Sequence, residues 1–579
     1  MTESTAKVAY FSMEIALDPS IHTYSGGLGM LAGDTLRSAA DLGVPLVAVT
    51  LAHRKGYFRQ NLDETGNQTE ADDPWSPDEA LTPEKATAAV VIEGRTVRVR
   101  AWRFTVQGIS GHVVPVLLLD TNLPENSSWD RGLTDHLYGG DEHYRICQEV
   151  ILGIGGIRIL RELGYTQIQG FHMNEGHASF LALALLELQL GRPELNSATE
   201  RDIEAVRSRC IFTTHTPVPA GHDRFPRDLM NRVLGERFGS VLEATHCCPD
   251  GVLNMTLLAL RFSRYINGVA MRHGEVSHDM FPDYPIHAIT NGVHAATWTS
   301  PSFSELYDRH IPEWRYDNQY FRYIIGVSVE EIQQAHQRAR KSLFDQVSTS
   351  TGVQLDETVM TLGFARRTAT YKRADFLFSD VERLKSITKS IGPLQIVYGG
   401  KAHPRDEGGK ALIRRIFEEA RALKDELIRV VYVADYDWRW GQLITSGVDL
   451  WLNTPQRPYE ASGTSGMKAA LNGVPSFSVP DGWWLEGHLE GSTGWDIGHS
   501  EGISEDPTSE EHSLYDKLES TIMPMFYRRP TEYAEVMRAT IAVNASFFNT
   551  QRMISQYLRN AYQSIEVDLS AAAAESAGH

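Results

Sequence analysis

Short apolar runs recur along the chain, most ending in polar or glycine-rich loops and followed by stretches of helical period. Residues 8–13 (Val-Ala-Tyr-Phe-Ser-Met) predict a buried strand, then a loop, Ser25-Gly26-Gly27-Leu28-Gly29, and a helix over 31–42. Residues 45–51 predict a second strand, 88–105 a hairpin turning at Glu93-Gly94, and 112–119 another strand. Asp141 is placed to cap a long helix through residue 163. Its glycines (153, 155 and 156) are no dinucleotide fingerprint, because Arg158 stands in the pattern and no strand leads into it. Phe171-His172-Met173-Asn174-Glu175-Gly176-His177 lies between a short strand and an apolar helix over 178–190. Strands over 210–214 and 286–290 end in His215-Thr216-Pro217 and Asn291-Gly292-Val293-His294.

From about residue 300 the pattern changes. An aromatic, charged helical stretch covers 314–344, and strands then alternate with helices. Strands are predicted over 359–364, 394–398, 428–433, 448–452 and 475–479, with helices over 374–390 and 409–425 and a short one after Tyr436. Such alternation means a parallel, doubly wound sheet. The fold class is therefore α/β, with two Rossmann-like domains facing each other across a cleft. The expected boundaries are 1–297 and 298–567, with helices over 533–565 packing back on the first domain and a disordered tail over 568–579. No internal repeat is visible.

Composition narrows the function. The 55 basic and 74 acidic residues among 579 give a formal charge of -19, which favours neither nucleic acid nor an anionic membrane. The start lacks the layout of a signal peptide, and no apolar run is long enough to span a bilayer. Four cysteines in this length make neither a disulfide framework nor a zinc site. The expectation is a soluble cytoplasmic protein. His273 and His278 are spaced five apart, off one helical face, and His172, Glu175 and His177 lack a fourth ligand, so no metal is expected.

Candidate chemistry gathers at strand ends, where open α/β sheets bind ligands. Arg366-Arg367-Thr368-Ala369-Thr370-Tyr371-Lys372-Arg373 follows one strand, and Gly399-Gly400-Lys401 another. Read as a helix start, that basic run is electrostatically disfavoured by roughly 0.3–1 kcal/mol per cation, which suggests a compensating anion. A third strand feeds Tyr459-Glu460-Ala461-Ser462-Gly463-Thr464-Ser465-Gly466-Met467-Lys468, a small-residue loop entering a helix. Such a loop can gather N–H groups around an anion, and its lysine can supply a charge or an imine nitrogen. A plain turn with a solvated lysine explains the local pattern equally well. There is no Walker A loop.

Residues 460–468 resemble the pyridoxal phosphate lysine motif of the α-glucan phosphorylases. The glycine loop at 25–29, the histidine motifs at 172–177 and 214–217, Asn291 to His294, the basic run and Gly399-Gly400-Lys401 follow in that family's order. The similarity runs from Val8 to about Gly498 and is strongest to short bacterial and archaeal forms. It implies a GT-B fold and an α-1,4-glucan phosphorylase, moving glucosyl units from glycogen or maltodextrin to inorganic phosphate with retention to give glucose 1-phosphate. Pyridoxal phosphate would be held covalently on Lys468 as an internal aldimine, its phosphate acting as a proton relay. Gly463, Thr464 and Ser465 would lie at the cofactor phosphate, with Tyr436 and Trp298 also at the cofactor. Arg367 and Lys372 would bind the substrate phosphate, helped by Gly26, Gly27 and Leu28. His215 would contact glucose, and His177, Asn291, Glu460, Ala461 and Ser462 would complete the sugar site. Family members are usually homodimers.

Ala16, Thr368, Tyr459 and Asp437 depart from the pattern of one or other branch of the family. They bear on acceptor length and vigour more than on the cofactor. The alternatives are a nucleotide-sugar glucosyltransferase of the same fold, which needs no such lysine, and a cofactor-bearing glucan-binding pseudoenzyme.

Overall fold

A computed structural model describes residues 5–192, 195, 198–218, 221–424, 427–498 and 507–563. The expected tail over 568–579 lies outside these residues. The chain divides into two compact units. Unit 1 comprises residues up to 58, 72–289 and those from 553 onward; unit 2 comprises 59–71 and 290–552. The single boundary expected after residue 297 thus differs from this division, in which 59–71 belongs to unit 2 and the residues from 553 to unit 1.

Unit 1 is built on nine strands: β1 (Val8–Ser12), β2 (Leu46–Leu51), β3 (Thr82–Ile92), β4 (Arg95–Gln107), β5 (Val113–Asp120), β6 (Gly170–Asn174), β7 (Cys210–Thr213), β8 (Tyr265–Gly268) and β9 (Ile286–Ala288). Their order is β9-β8-β7-β6-β1-β2-β5-β4-β3. The strands from β9 to β5 are parallel, and β3 and β4 add an antiparallel edge. Glu93 and Gly94 turn the β3–β4 hairpin with φ of 50° and 76°, the mirror-image turn whose twist suits two strands. Alternate residues feed two cores. Ala9, Phe11, Val47 and Val49 enter one, while Val8, Tyr10, Leu46 and Ala48 enter the other, as the two-residue strand period requires. Met553, Ile554, Tyr557 and Tyr562 complete the second core.

Asp141 does cap its helix, accepting the Tyr144 N–H, but a π-helical turn at Ile151–Gly155 interrupts it. The glycine run there serves packing. A Cβ on Gly153 would lie 2.6 Å from the Leu181 nitrogen, and one on Gly156 2.6 Å from the Phe11 ring.

Unit 2 carries β10 (Met360–Ala365), β11 (Leu394–Gly399), β12 (Ile428–Val433), β13 (Leu450–Asn453), β14 (Ser476–Ser478) and β15 (Gly494–Asp496). All are parallel, in the order β12-β11-β10-β13-β14-β15. The helix expected to begin at residue 374 begins at Val381, where Asp380 accepts the Arg383 N–H. The residues before it form 3-10 turns at Thr370–Lys372 and Phe376–Phe378. The stretch 314–344 likewise splits into a 3-10 helix, Asn318–Gly326, and the helix Val329–Thr351, which Ser328 caps.

The segment 59–71 is a hairpin of strands Arg59–Leu62 and Gln68–Ala71. Two buried glutamines tie it to the loops after β11 and β12. Gln60 donates to the Gly400 carbonyl (2.9 Å) and accepts from the Asp435 N–H (2.8 Å). Gln68 donates to the Ala402 carbonyl (2.8 Å) and accepts from the Ala402 N–H (3.0 Å).

Candidate active site

Each sheet has one place where successive strands leave in opposite directions. In unit 1 it lies between β1 and β6, and in unit 2 between β10 and β13. The carboxyl ends of the strands at such switch points form the crevice in which open α/β sheets bind ligands. The motifs picked out from sequence converge on these two places.

In unit 2, Arg366 follows β10 and Asn453 ends β13, and the guanidinium donates to the Asn453 amide oxygen. Arg366 also contacts the Glu460 carboxylate at 3.0 Å, and the Lys372 ammonium contacts the same oxygen at 2.6 Å. All three side chains are nine-tenths buried or close to it. Burial opposes ionisation of Glu460, but Lys372 and Arg366 outweigh it and hold the carboxyl below its usual range. This corrects the electrostatic expectation for the basic run. Its cations sit on a loop and a 3-10 turn rather than at a helix start, and Glu460 already compensates two of them. Arg367 is exposed, and Lys401 pairs with Asp435 at 2.6 Å. At Gly400 the backbone passes so close to β10's exit that a Cβ would lie 2.0 Å from the Arg366 carbonyl oxygen.

Lys468 lies on the short helix Thr464–Ala470, whose N-cap, Gly463, has φ 88°. The lysine is buried, with its ammonium 3.6 Å from the centroid of the Trp298 ring. Trp298 in turn stacks on Trp438. The Asn472 amide fixes both partners, donating to the carbonyls of Trp298 (2.8 Å) and Lys468 (3.1 Å). Tyr436 is close by: a Cβ on Gly441 would meet the Tyr436 hydroxyl at 3.1 Å and the Trp298 ring at 3.5 Å. Ser465 accepts from the Trp451 indole N–H at 3.2 Å. Two buried atoms, Ser462 Oγ and Asn291 Oδ1, have no hydrogen-bond partner among the described residues. Buried polar atoms are almost always satisfied, so both point to a ligand or ordered water.

In unit 1, Asn174 at the end of β6 donates to Ser12 Oγ at the end of β1 (3.1 Å), and its amide oxygen accepts from His215 Nε2 (2.7 Å). Glu175 accepts from the His215 N–H (2.8 Å) and the Thr216 hydroxyl (2.9 Å), fixing the loop after β7. Burial lowers the pKa of His215 to about 4, so its ring is neutral near neutral pH. Glu14, just past β1, accepts the N–H groups of Ser25 (2.6 Å) and Gly26 (3.3 Å) and the Tyr138 hydroxyl (2.9 Å). Gly26 and Gly27 have open space where a Cβ would stand, so packing against the chain does not demand either glycine. His177 bonds Asp223 at 3.2 Å, and Arg145 holds the same carboxylate at 2.8 Å.

The described residues offer one cluster with metal-ligand character, His488, Glu490 and Asp496. The Lys517 ammonium contacts both of its carboxylates. Among the histidines once weighed as ligands, His273 is buried and bonded to the Val269 N–H.

A family profile described as carbohydrate phosphorylase matches residues 163–490. A maltodextrin phosphorylase from Thermococcus litoralis is 38% identical over 96% of this chain and 70% of its own length. The chain belongs to the carbohydrate phosphorylase family. A glycogen phosphorylase from Mycobacterium tuberculosis is 36% identical over 96% of this phosphorylase chain and 70% of its own, and one from Aquifex aeolicus 34% identical over 96% and 86%. No helix among the described residues of this family member is long and apolar enough to cross a membrane.

The structure brings Lys372, Glu460, Ser462 and Gly463, on loops and turns, and Thr464, Ser465 and Lys468, on the short helix that follows, to the unit 2 switch point, with Trp298 against Lys468 and Tyr436 near Trp298. Asn291 also belongs to unit 2, whereas Gly26, Gly27, Leu28, His177 and His215 belong to unit 1. Sequence reasoning missed Arg366 as the second partner of Glu460, and it missed the carboxylates that hold the loops of this phosphorylase fold, Glu14, Glu175 and Asp481. An acid within three residues of the end of an apolar strand was the available signal for each.

Proposed function

We propose that the protein is an α-1,4-glucan phosphorylase that transfers terminal glucosyl units of glycogen or maltodextrin to inorganic phosphate, with retention, giving α-glucose 1-phosphate. The observation that carries this reading is a buried lysine on the Trp298 ring, with two largely buried cations held on Glu460 at the same sheet's strand ends, in a chain of the phosphorylase family.

The residues at Lys468 fit pyridoxal 5′-phosphate. They offer a primary amine, the flat face of Trp298 with Tyr436 near it, and Gly463, Thr464 and Ser465 where the helix begins. When bound, that cofactor supplies a phosphate able to relay a proton to the substrate phosphate. Lys468 holds it. Lys372, Arg366 and Arg367 draw inorganic phosphate, which must share the first two with Glu460. Asn291 and Ser462 have buried polar atoms free to bond sugar hydroxyls, alongside Glu460 and the backbone of Ala461. In unit 1, Gly27 and Leu28 offer backbone N–H groups to an anion beside Gly26, whose own N–H goes to Glu14, and His177 and His215 face sugar. A neutral His215 adds no positive charge against the cationic character that develops on the glucosyl carbon. Because phosphate does the acid and base work, no pair of protein carboxylates across the scissile bond is required. The reading extends to a cytoplasmic homodimer.

The test is borohydride reduction with peptide mapping, joined to an assay of glucose 1-phosphate release from maltodextrin and phosphate. A reduced adduct on Lys468 and phosphate-dependent release are expected. No adduct sinks the cofactor assignment. An adduct without phosphorolysis of any glucan leaves the pseudoenzyme, and glucosyl transfer from a nucleotide sugar would favour the glucosyltransferase.

A further inference from the structure

The loop that carries Glu460 and Ser462 is gripped at both ends by one short turn after β14. Asp481 is 2% exposed. One of its oxygens accepts the backbone N–H of Glu460 (2.9 Å) and the other that of Gly482 (2.9 Å). Two residues along, the Trp483 N–H donates to the Ser462 carbonyl at 2.9 Å. Gly482 lets the strands of this grip touch. Its φ is 56°, and a Cβ there would stand 2.5 Å from the Ser462 carbonyl oxygen and 2.9 Å from that of Glu460.

We infer that Asp481, through the turn it forms with Gly482 and Trp483, is a positioning residue that sets the substrate-contacting residues 460–462. This deepens the proposed function and rests on it. The grip is made entirely to backbone, so it leaves the functional ends of the loop uncommitted. Glu460 is free to direct its carboxylate at Lys372 and Arg366, and Ser462 Oγ stays without a protein partner. The cost is visible in Asp481 itself. Burial pushes its carboxyl up to about 6, against the two N–H bonds it accepts, with Glu460's charge adding to the rise. A carboxylate kept in such surroundings, with Glu460 as its acidic neighbour, trades stability for geometry. Pre-organisation of this kind spares the loop an ordering cost when substrate arrives.

The test uses the holoenzyme and begins with wild type. In Asp481→Asn one acceptor oxygen becomes an amide NH2 facing an N–H, so one of the two backbone bonds is lost. The expected result is a KM for maltodextrin raised about tenfold, the worth of one charge-assisted hydrogen bond. The kcat should change less than about threefold, as for lost uniform binding. The borohydride adduct on Lys468 should remain stoichiometric. In a Glu460→Gln background the same change should add little to KM, because Asp481 acts through that residue. Asp449→Asn serves as the structural control: Asp449 is buried against Arg340 (3.0 Å), and its loss should lower stability without moving KM. Should Asp481→Asn not fold, Asp481→Ser keeps one acceptor without the opposed amide and carries the same comparison. An active wild type whose Asp481 variants lose only stability, like the control, overturns the positioning role alone. A wild type that phosphorolyses no glucan overturns both readings before any variant is made.

Discussion

Glu460→Gln separates the electrostatic role of the carboxylate from its shape. In the protein one carboxylate oxygen meets Lys372 at 2.6 Å and Arg366 at 3.0 Å, with side-chain exposures of 6, 10 and 10% for the three. Removing one member of a buried ion pair typically costs about 3–5 kcal/mol, because the remaining charge stays desolvated. Here two cations are stranded, so a loss of about 4 kcal/mol is expected from unit 2. An anion of the right size should restore part of it. Phosphate at 100 times its dissociation constant stabilises by about 2.7 kcal/mol, so roughly two-thirds of the loss should return. In wild type the gain should be smaller, since phosphate competes with Glu460 for the same cations. The assay is urea unfolding at matched ionic strength with phosphate or chloride, followed by tryptophan emission, since eight of the chain's 11 tryptophans lie in unit 2, Trp298, Trp451, Trp484 and Trp495 among them. A loss under about 1 kcal/mol, or equal phosphate stabilisation of wild type and variant, would refute the reasoning.

Other outcomes follow from the same geometry. Burial, with a smaller contribution from His215, lowers the pKa of His172 to about 3, against 6.5 for a free histidine. The unfolded chain therefore takes up a proton below pH 6.5 that the fold refuses. The stability His172 gives is complete above that pH and is lost as pH falls towards 3, amounting to about 2 kcal/mol by pH 5. His172→Asn should flatten the pH dependence of unit 1 unfolding by close to one proton between pH 6.5 and 5, and an unchanged slope would contradict it. Gly400→Ala should cost about 3 kcal/mol or more, because its Cβ meets the Arg366 carbonyl oxygen at 2.0 Å. Displacing Arg366 should also weaken phosphate stabilisation, and calorimetry with and without phosphate would read both effects.

Most strands of the two sheets were plain in the sequence because they are short apolar runs, whereas Tyr265–Gly268, Gly494–Asp496 and the polar hairpin strands Arg59–Leu62 and Gln68–Ala71 carry no such run and were missed. Residues 428–433 were predicted to the residue, and the hairpin turn was marked by Gly94, which takes φ 76° without strain. Helix starts were less legible. The basic run at 366–373 has helix-forming neighbours, yet the cap that decides the matter, Asp380, stands beyond it. Motif residues were found because they cluster at strand ends, and strand order then explains why those ends matter. What no local pattern could reveal was pairing at a distance: Glu460 with Arg366, Asp481 with the Glu460 N–H, and two glutamines at 60 and 68 with loops at 400–402 and 435. Each is an ordinary polar residue until the partner is known.

The glutamine hairpin has a consequence for how the molecule is made. Gln60 finds Gly400 across 340 positions, and His172 finds the Tyr562 hydroxyl across 390. A chain emerging amino end first must carry the hairpin unpartnered while most of unit 2 is still being synthesised. Unit 1 waits for the core residues Met553, Ile554, Tyr557 and Tyr562 until residues 290–552 of unit 2 have been made. Contacts of such sequence separation are slow to form and expose apolar surface meanwhile. Birth order and assembly order are thus uncoupled. A gene fragment encoding 290–552 alone would yield a unit 2 lacking the hairpin partners of Gly400 and Ala402, one that a peptide spanning 59–71, added in trans, should mend.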